Sequence, residues 1–140
     1  MLRIERGRWD QLQQDAKLIR TQVFIVEQHI PEAEEWDDHD AISQHFVIYD
    51  QDHPIATARL LQNHSVGRVA VVKAYRGQGI GRMIMLEIIA YAQQQARPHL
   101  RLSSQTHAVS FYQQLGFIVQ GDEYDECGIP HIEMTMSIDR

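Results

Sequence analysis

Arg68-Val69-Ala70-Val71-Val72 leads through Lys73-Ala74-Tyr75 into Arg76-Gly77-Gln78-Gly79-Ile80-Gly81-Arg82, and a long apolar stretch follows. This order predicts a buried strand, a glycine loop and the start of a helix. The nearly continuous apolar character of residues 69–72 is the pattern of a strand covered on both faces. Three glycines at alternate positions remove the side chains that would keep a ligand off the backbone, and glycine reaches backbone angles that other residues avoid. The N–H groups of Gly77, Gln78, Gly79, Ile80 and Gly81 can then converge in front of the helix. A helix N-terminus carries about half a positive charge and unpaired donors. Arg76 and Arg82 add two further positive charges. The predicted ligand is a phosphate or pyrophosphate.

Three kinds of phosphate loop compete for this stretch. A P-loop needs Lys-Ser/Thr after its last glycine, and here Gly81 is followed by Arg82-Met83. A dinucleotide loop needs a third glycine three positions after its second, and that place holds Arg82. The acyl-coenzyme A loop, Arg/Gln-x-x-Gly-x-Gly/Ala, is matched at every fixed position by Arg76, Gly79 and Gly81.

At these positions the sequence resembles the GCN5-related N-acetyltransferase superfamily. Ala108-Val109-Ser110-Phe111-Tyr112-Gln113-Gln114-Leu115-Gly116-Phe117 looks like the family's Ala-x-x-Phe-Tyr-x-x-x-Gly-Phe segment. Val23-Phe24-Ile25-Val26-Glu27-Gln28 and Glu126-Cys127-Gly128-Ile129-Pro130-His131 look like the ElaA-like branch. The resemblance implies acetyl-coenzyme A as co-substrate, direct attack by an amine, and an acid tyrosine at Tyr112. It also implies that the strand backbone at Val69, Ala70 and Val71 pairs with the coenzyme, the Val71 N–H polarising the acetyl carbonyl. Gln105 stands where many relatives carry asparagine at the coenzyme edge. Lys73 replaces a proline common in relatives and bears only on the turn.

The composition agrees with such a protein. A length of 140 residues predicts one domain over residues 1–140, and 44% apolar residues suit a soluble globule. Cys127 is the only cysteine, so no internal disulfide can form and a reducing compartment fits. Met1-Leu2-Arg3-Ile4-Glu5 shows no leader pattern, and no apolar run approaches membrane-spanning length. The expectation is a cytoplasmic monomer or homodimer without a membrane partner. A net charge of −6 disfavours nucleic acid and mildly favours a cationic acceptor.

Periodicity supplies the remaining elements. Leu2 and Ile4 suggest a strand ending near Gly7. Leu12, Ala16, Ile19 and Val23 form one face of a helix from Trp9 to about Phe24. Pro31 ends regular structure there, and Glu32 to Asp40 reads as an acidic loop whose Asp37-Asp38-His39-Asp40 cluster forms an acidic rim facing the acceptor. His45–Tyr49 and Ile55–Leu61 read as a hairpin across Asp50–Pro54. A helix from Gly79 to about Ala96 presents Ile80, Ile84, Ile88 and Ala92, with Met83, Leu86 and Tyr91 nearby. Leu100–Ser104 is a short strand, and Thr106 caps a helix through Leu115 that Gly116 stops. Strands from Phe117 and over Ile132–Ile138 complete the chain. The sum is α/β: a mixed, mostly antiparallel sheet of six or seven strands with about four helices. In the family fold the two central parallel strands, placed here at Arg68 and Leu100, splay apart to admit the cofactor.

Acyl transfer from a thioester to an amine sets three demands. An alkylammonium with pKa about 10.4 is neutral in only about one molecule in a few thousand at pH 7, so a base must take its proton. A donor must meet the developing oxyanion. The leaving thiolate needs a proton or a hydrogen bond, the role assigned to Tyr112. The strand before the glycine loop lacks the carboxylate that many relatives place there. Glu27, Asp40, Glu126, His131 and Glu133 are the candidate bases, with Glu27 and His131 first because their segments resemble the branch's own. Arg59 suits a surface or ion-pair role more than an acceptor carboxylate. Cys127 as a covalent nucleophile finds little positive charge nearby. Asp37-Asp38-His39-Asp40 lacks helical metal spacing, so no metal is expected. The acceptor is a primary amine of a small molecule or peptide. The alternatives are a non-catalytic acyl-coenzyme A sensor, favoured only by the missing strand carboxylate, and a nucleotide-binding domain of another type.

Overall fold

The computed structural model describes residues 1–138. Its first strand, β1 (Leu2–Gly7), lies antiparallel to β2 (Gln44–Asp50), and β3 (His53–Leu60) turns back beside β2. Next come β4 (Ser65–Val71), β5 (His99–Gln105), β6 (Ile118–Glu126) and β7 (Ile129–Ser137). The seven strands make one sheet in the order β1-β2-β3-β4-β5-β7-β6. Every neighbouring pair is antiparallel except β4 and β5.

That parallel pair is the position on which the site depends. β4 and β5 are in register only at Ser65 with Arg101 and Val66 with Leu102. Beyond Val66 they separate. The cause lies next to the separation: the β3–β4 ladder shifts register between Thr57 and Arg59, and Arg68 turns to φ +52. A bulge of this kind bends its strand and strengthens the local twist, which carries β4 away from β5.

Each face of the sheet is covered through an apolar helical stripe. On one face, α1 (Trp9–Arg20) buries Leu12, Ala16 and Ile19, and these meet Val47, Tyr49 and Ala70 of the strands. On the other, α3 (Ile80–Gln94) buries Ile80, Ile84, Met85, Ile88 and Ala92 against Phe46, Ile48, Leu100 and Leu102. Each fully buried Ile or Leu contributes roughly 1.5–3 kcal/mol. The short helix α4 (Val109–Leu115) joins the same layer through Tyr112, and Gly116 ends it at φ +111.

Several boundaries differ from the sequence expectations. The first helix does not stop near Phe24: α1 gives way at Thr21 to a π-helical segment that continues to Glu27. Its wider turn shows in the Gln28 N–H donating to the Val23 carbonyl at 3.1 Å. The expected acidic loop contains a short helix, α2 (Glu32–Glu35), and a 3-10 turn at Asp40–Ile42. Thr106 makes no side-chain cap; a 3-10 turn over Thr106–Ala108 precedes α4. β4 begins at Ser65 rather than Arg68, because the bulge interrupts the strand without ending it. Met83 and Leu86 lie on the solvent side of α3. No described helix is long and apolar enough to cross a membrane.

Candidate active site

Where β4 and β5 part, a cleft of about 590 Å³ opens. Its walls are β4 from Val66 to Val71, the end of β5, the π segment, α4 and the β6–β7 hairpin. A second cavity of about 330 Å³ adjoins it under the glycine loop, with Val71, Arg76, Gly81 and Phe111 shared between them.

Backbone geometry prepares the β4 edge. Val72 donates its N–H to the Ile55 carbonyl of β3 at 2.9 Å. Backbone groups alternate sides along a strand, so those of Val71 and Val69 face the gap. Arg76 already uses this edge, its Nε donating to the Val71 carbonyl at 2.9 Å. Ala70 turns its side chain the other way, into the core beneath α1.

The glycine loop curls as its composition requires. Gly79 caps α3 at φ +81, a left-handed conformation costly for any residue with a Cβ. Gly81 answers a different demand, since a Cβ there would stand 3.3 Å from the Phe111 ring. The first-turn donors of α3 lie against the smaller cavity, with Gly77, Gly79, Ile80, Gly81 and Arg82 in its lining. Gln78 turns back, its amide reaching the Ala74 carbonyl at 3.4 Å.

Arg76 does not point freely at this cavity. Its guanidinium forms a two-pronged ion pair with Glu27, one prong 2.7 Å long, that ties the π segment to the loop. The Arg76 hydrogen bond holds the Glu27 carboxyl below its usual range. A carboxylate so engaged is a poorer proton acceptor.

Tyr112 stands in the cleft wall, wedged edge-on between Phe111 and Phe117 at ring separations of 4.9 and 5.9 Å. Burial pushes its phenol up to about 12, and its hydroxyl has no hydrogen-bond partner among the described residues. His131 lines the same cleft. Its Nδ1 lies 2.8 Å from the Ile129 carbonyl, and Tyr124 stacks on the ring. A carbonyl only accepts, so Nδ1 carries a proton toward Ile129, and Nε2 is the ring nitrogen left to meet a ligand. Gln105 spans the mouth, donating to Gln28 at 2.9 Å and meeting His107 at 2.7 Å.

The other candidate bases lie elsewhere in the arrangement. Glu126 lines the cleft at an exposed position, and Glu133 sits on β7 opposite Ser103. Cys127 turns its thiol to Glu34 at 2.7 Å, and that hydrogen bond pushes the thiol up to about 11. This opposes nucleophilic use. The described residues contain no group of side chains suited to a metal ion.

Asp40 is locked away. Arg20, 1% exposed, donates to Asp40 at 2.8 Å and to Glu35 at 2.8 Å. Arg59 donates to Asp37 at 2.7 Å and to Asp40 at 2.9 Å. Arg68 reaches Glu35 at 3.1 Å and Asp37 at 3.3 Å. Three guanidiniums thus meet three carboxylates behind the cleft wall, and the expected acidic rim becomes an internal joint between α1, α2, β3 and β4. Burial alone would raise Asp40; the hydrogen bonds and charges of Arg20 and Arg59 together outweigh it and hold it down. Sequence reasoning missed Arg20, although it falls on the apolar stripe four residues after Ala16.

The joint makes stability depend on pH. Hydrogen bonds from Arg59 hold Asp37 down to about 2. Its contribution is whole above the ordinary 3.8 and is lost as pH falls from there. His45, buried with Nε2 donating to the Asp40 carbonyl, is held below its usual 6.5 chiefly by burial, so protonation in that range also favours unfolding. Glu35, raised by burial, works in the opposite sense. The urea midpoint should fall as pH drops below about 6.5 and fall again below about 4. Asp37→Asn should flatten the lower limb, and an unchanged limb would remove Asp37 from this account.

Comparisons with known proteins agree with the geometry. A family model described as "Acetyltransferase (GNAT) domain" matches residues 10–138. The Bacillus subtilis (strain 168) protein described as uncharacterized N-acetyltransferase YjcF is 35% identical over 124 residues, covering 86% of this chain and 89% of its own. Escherichia coli (strain K12) ElaA is 33% identical over 129 residues, covering 86% and 84%. The crystal structure of E. coli ElaA superposes with a TM-score of 0.88, covering 97% of this chain and 99% of that one at 28% identity. An acyl-CoA N-acyltransferase from Pseudomonas aeruginosa gives the same TM-score and coverage at 29% identity.

Proposed function

The chain belongs to the GNAT acetyltransferase family, in its ElaA-like branch, and from that premise we propose that it transfers an acetyl group from acetyl-coenzyme A to a primary amine by direct attack. The observation that carries this reading is the unpaired β4 edge opening between two cavities, one beneath the glycine loop and one beside Tyr112 and His131. The residues fit the co-substrate. The α3 N-terminus, Gly77 to Arg82, suits a diphosphate. The Val69 and Val71 backbone suits the amides of an extended arm. Bound acetyl-coenzyme A supplies a thioester acetyl group and a thiol leaving group.

The chain's own groups then divide the work. The Val71 N–H, facing the gap, meets the charge that develops on the carbonyl oxygen. His131, held in place by the Ile129 carbonyl and Tyr124, takes the proton of the attacking amine at Nε2, directly or through a water. We assign the base to His131 rather than Glu27 because Arg76 already occupies that carboxylate. Tyr112 donates a hydrogen bond toward the leaving sulfur.

The test is a thiol-release assay over a panel of primary amines, with coenzyme A binding measured by calorimetry alongside. The expected result is amine-dependent thiol release. Binding with no release on any amine would replace this reading with a sensor module, and no binding at millimolar coenzyme would remove both.

A further inference from the structure

Arg68 holds an unusual conformation at a decisive place. It is a non-glycine residue at φ +52, on the bulge where β4 leaves β5, and it lines the cleft. Such outliers persist where the surroundings hold them, and they concentrate at functional sites. Here the holding is visible. Nε lies 3.1 Å from the Glu35 carboxylate, and Nη2 donates to the Glu35 carbonyl at 2.9 Å and to Asp37 at 3.3 Å. These bonds fix one edge of the guanidinium. Nη1 has no hydrogen-bond partner among the described residues, and it is not among the fully buried atoms that lack one.

The three guanidiniums and three carboxylates of the joint balance in charge, so geometry rather than surplus charge leaves this donor usable. Glu35 and Asp37 are shared with Arg20 and Arg59, so Arg68 has no carboxylate to itself. Of the nearby acids, Glu34 is engaged by the Cys127 thiol and Glu126 stands on another wall of the cleft. An acceptor with an ammonium group and a carboxylate therefore finds both signs, Glu126 for the first and Arg68 for the second. A bare amine finds a partner only for its ammonium.

Building on the proposed transfer to an amine, we propose that the acceptor is a primary amine that also carries a carboxylate, and that Nη1 of Arg68 binds that carboxylate. A hydrogen bond to a charged group is worth about 10- to 100-fold in affinity. Matched acceptors give the test: γ-aminobutyrate against butylamine, and lysine against cadaverine. The quantity read is the ratio of kcat/KM within each pair, with the ratio of calorimetric affinities in the presence of coenzyme A measured beside it. Wild type should favour the carboxylated member by about tenfold or more. Arg68→Gln should bring the ratio toward one, and Arg68→Lys should restore part of it. Because the ratio is taken within one preparation, partial unfolding cannot imitate its loss. No preference in wild type, or a preference that survives Arg68→Gln, overturns the assignment. Absence of turnover on every amine would instead sink the transfer reading, while carboxylate-dependent binding lost in Arg68→Gln would still uphold the role of Arg68.

Discussion

Tyr112→Phe is expected to lower kcat by about 10- to 100-fold while the affinity for acetyl-coenzyme A stays within about threefold. The size follows from the phenol's surroundings. Burial holds it near 12, whereas a cysteine-like alkyl thiol ionises near 8.5. Outright transfer of the phenolic proton to the departing sulfur would run uphill by about three to four pKa units. In the proposed reaction Tyr112 donates a charge-assisted hydrogen bond and keeps its proton, and solvent completes the protonation. Removing the hydroxyl removes that bond and little else, because Phe111 and Phe117 still fix the ring. Wild type should accordingly show no loss of activity traceable to this tyrosine up to pH 10. A Phe variant with full turnover would take Tyr112 out of the chemistry.

Asp40→Ala is expected to destabilise the protein by about 3–5 kcal/mol, measured by urea unfolding. Asp40 accepts hydrogen bonds from both Arg20 and Arg59, and all three side chains are almost wholly enclosed. Without it Arg20 and Arg59 are left with only Glu35 and Asp37, both of which Arg68 also engages. The loss is a large part of a typical total of about 5–15 kcal/mol. A control sets the scale: Asp10→Ala removes the exposed Arg8–Asp10 pair and should cost under about 1 kcal/mol. If the two variants lose similar amounts, the joint behind the cleft is no firmer than a surface contact.

Much of the fold was legible because the signals were local. The α3 stripe of Ile80, Ile84, Ile88 and Ala92 is buried as its spacing predicts, and Gly116 ends α4 in the left-handed conformation that only glycine adopts easily. Splaying of the central parallel pair came from the family resemblance, and the structure shows its local cause in the Arg68 bulge. The arginine joint was not read, though each of its cations interrupts an apolar pattern: Arg20 on a helix face, Arg59 in one strand, Arg68 on the bulge of the next. Pairing them with Glu35, Asp37 and Asp40 requires contacts between residues up to 33 positions apart, and one-dimensional periodicity carries no such information. The π turn escaped for a related reason. Its apolar run, Val23 to Val26, reads equally well as α-helix, yet the wider turn decides where Glu27 and Gln28 point.

An ordinary seven-stranded sheet has two margins, and this one has four. Past Val66, β4 and β5 each expose a row of backbone donors and acceptors in the middle of the molecule. A bare margin on the outside of a protein invites other chains to add on and polymerise. Here the flanking helices and the hairpin wall off that approach, so only something narrow and extended can slide between. The same missing rungs that would be a hazard at the periphery leave, in the interior, a walled slot whose backbone groups are open to a partner of strand-like shape.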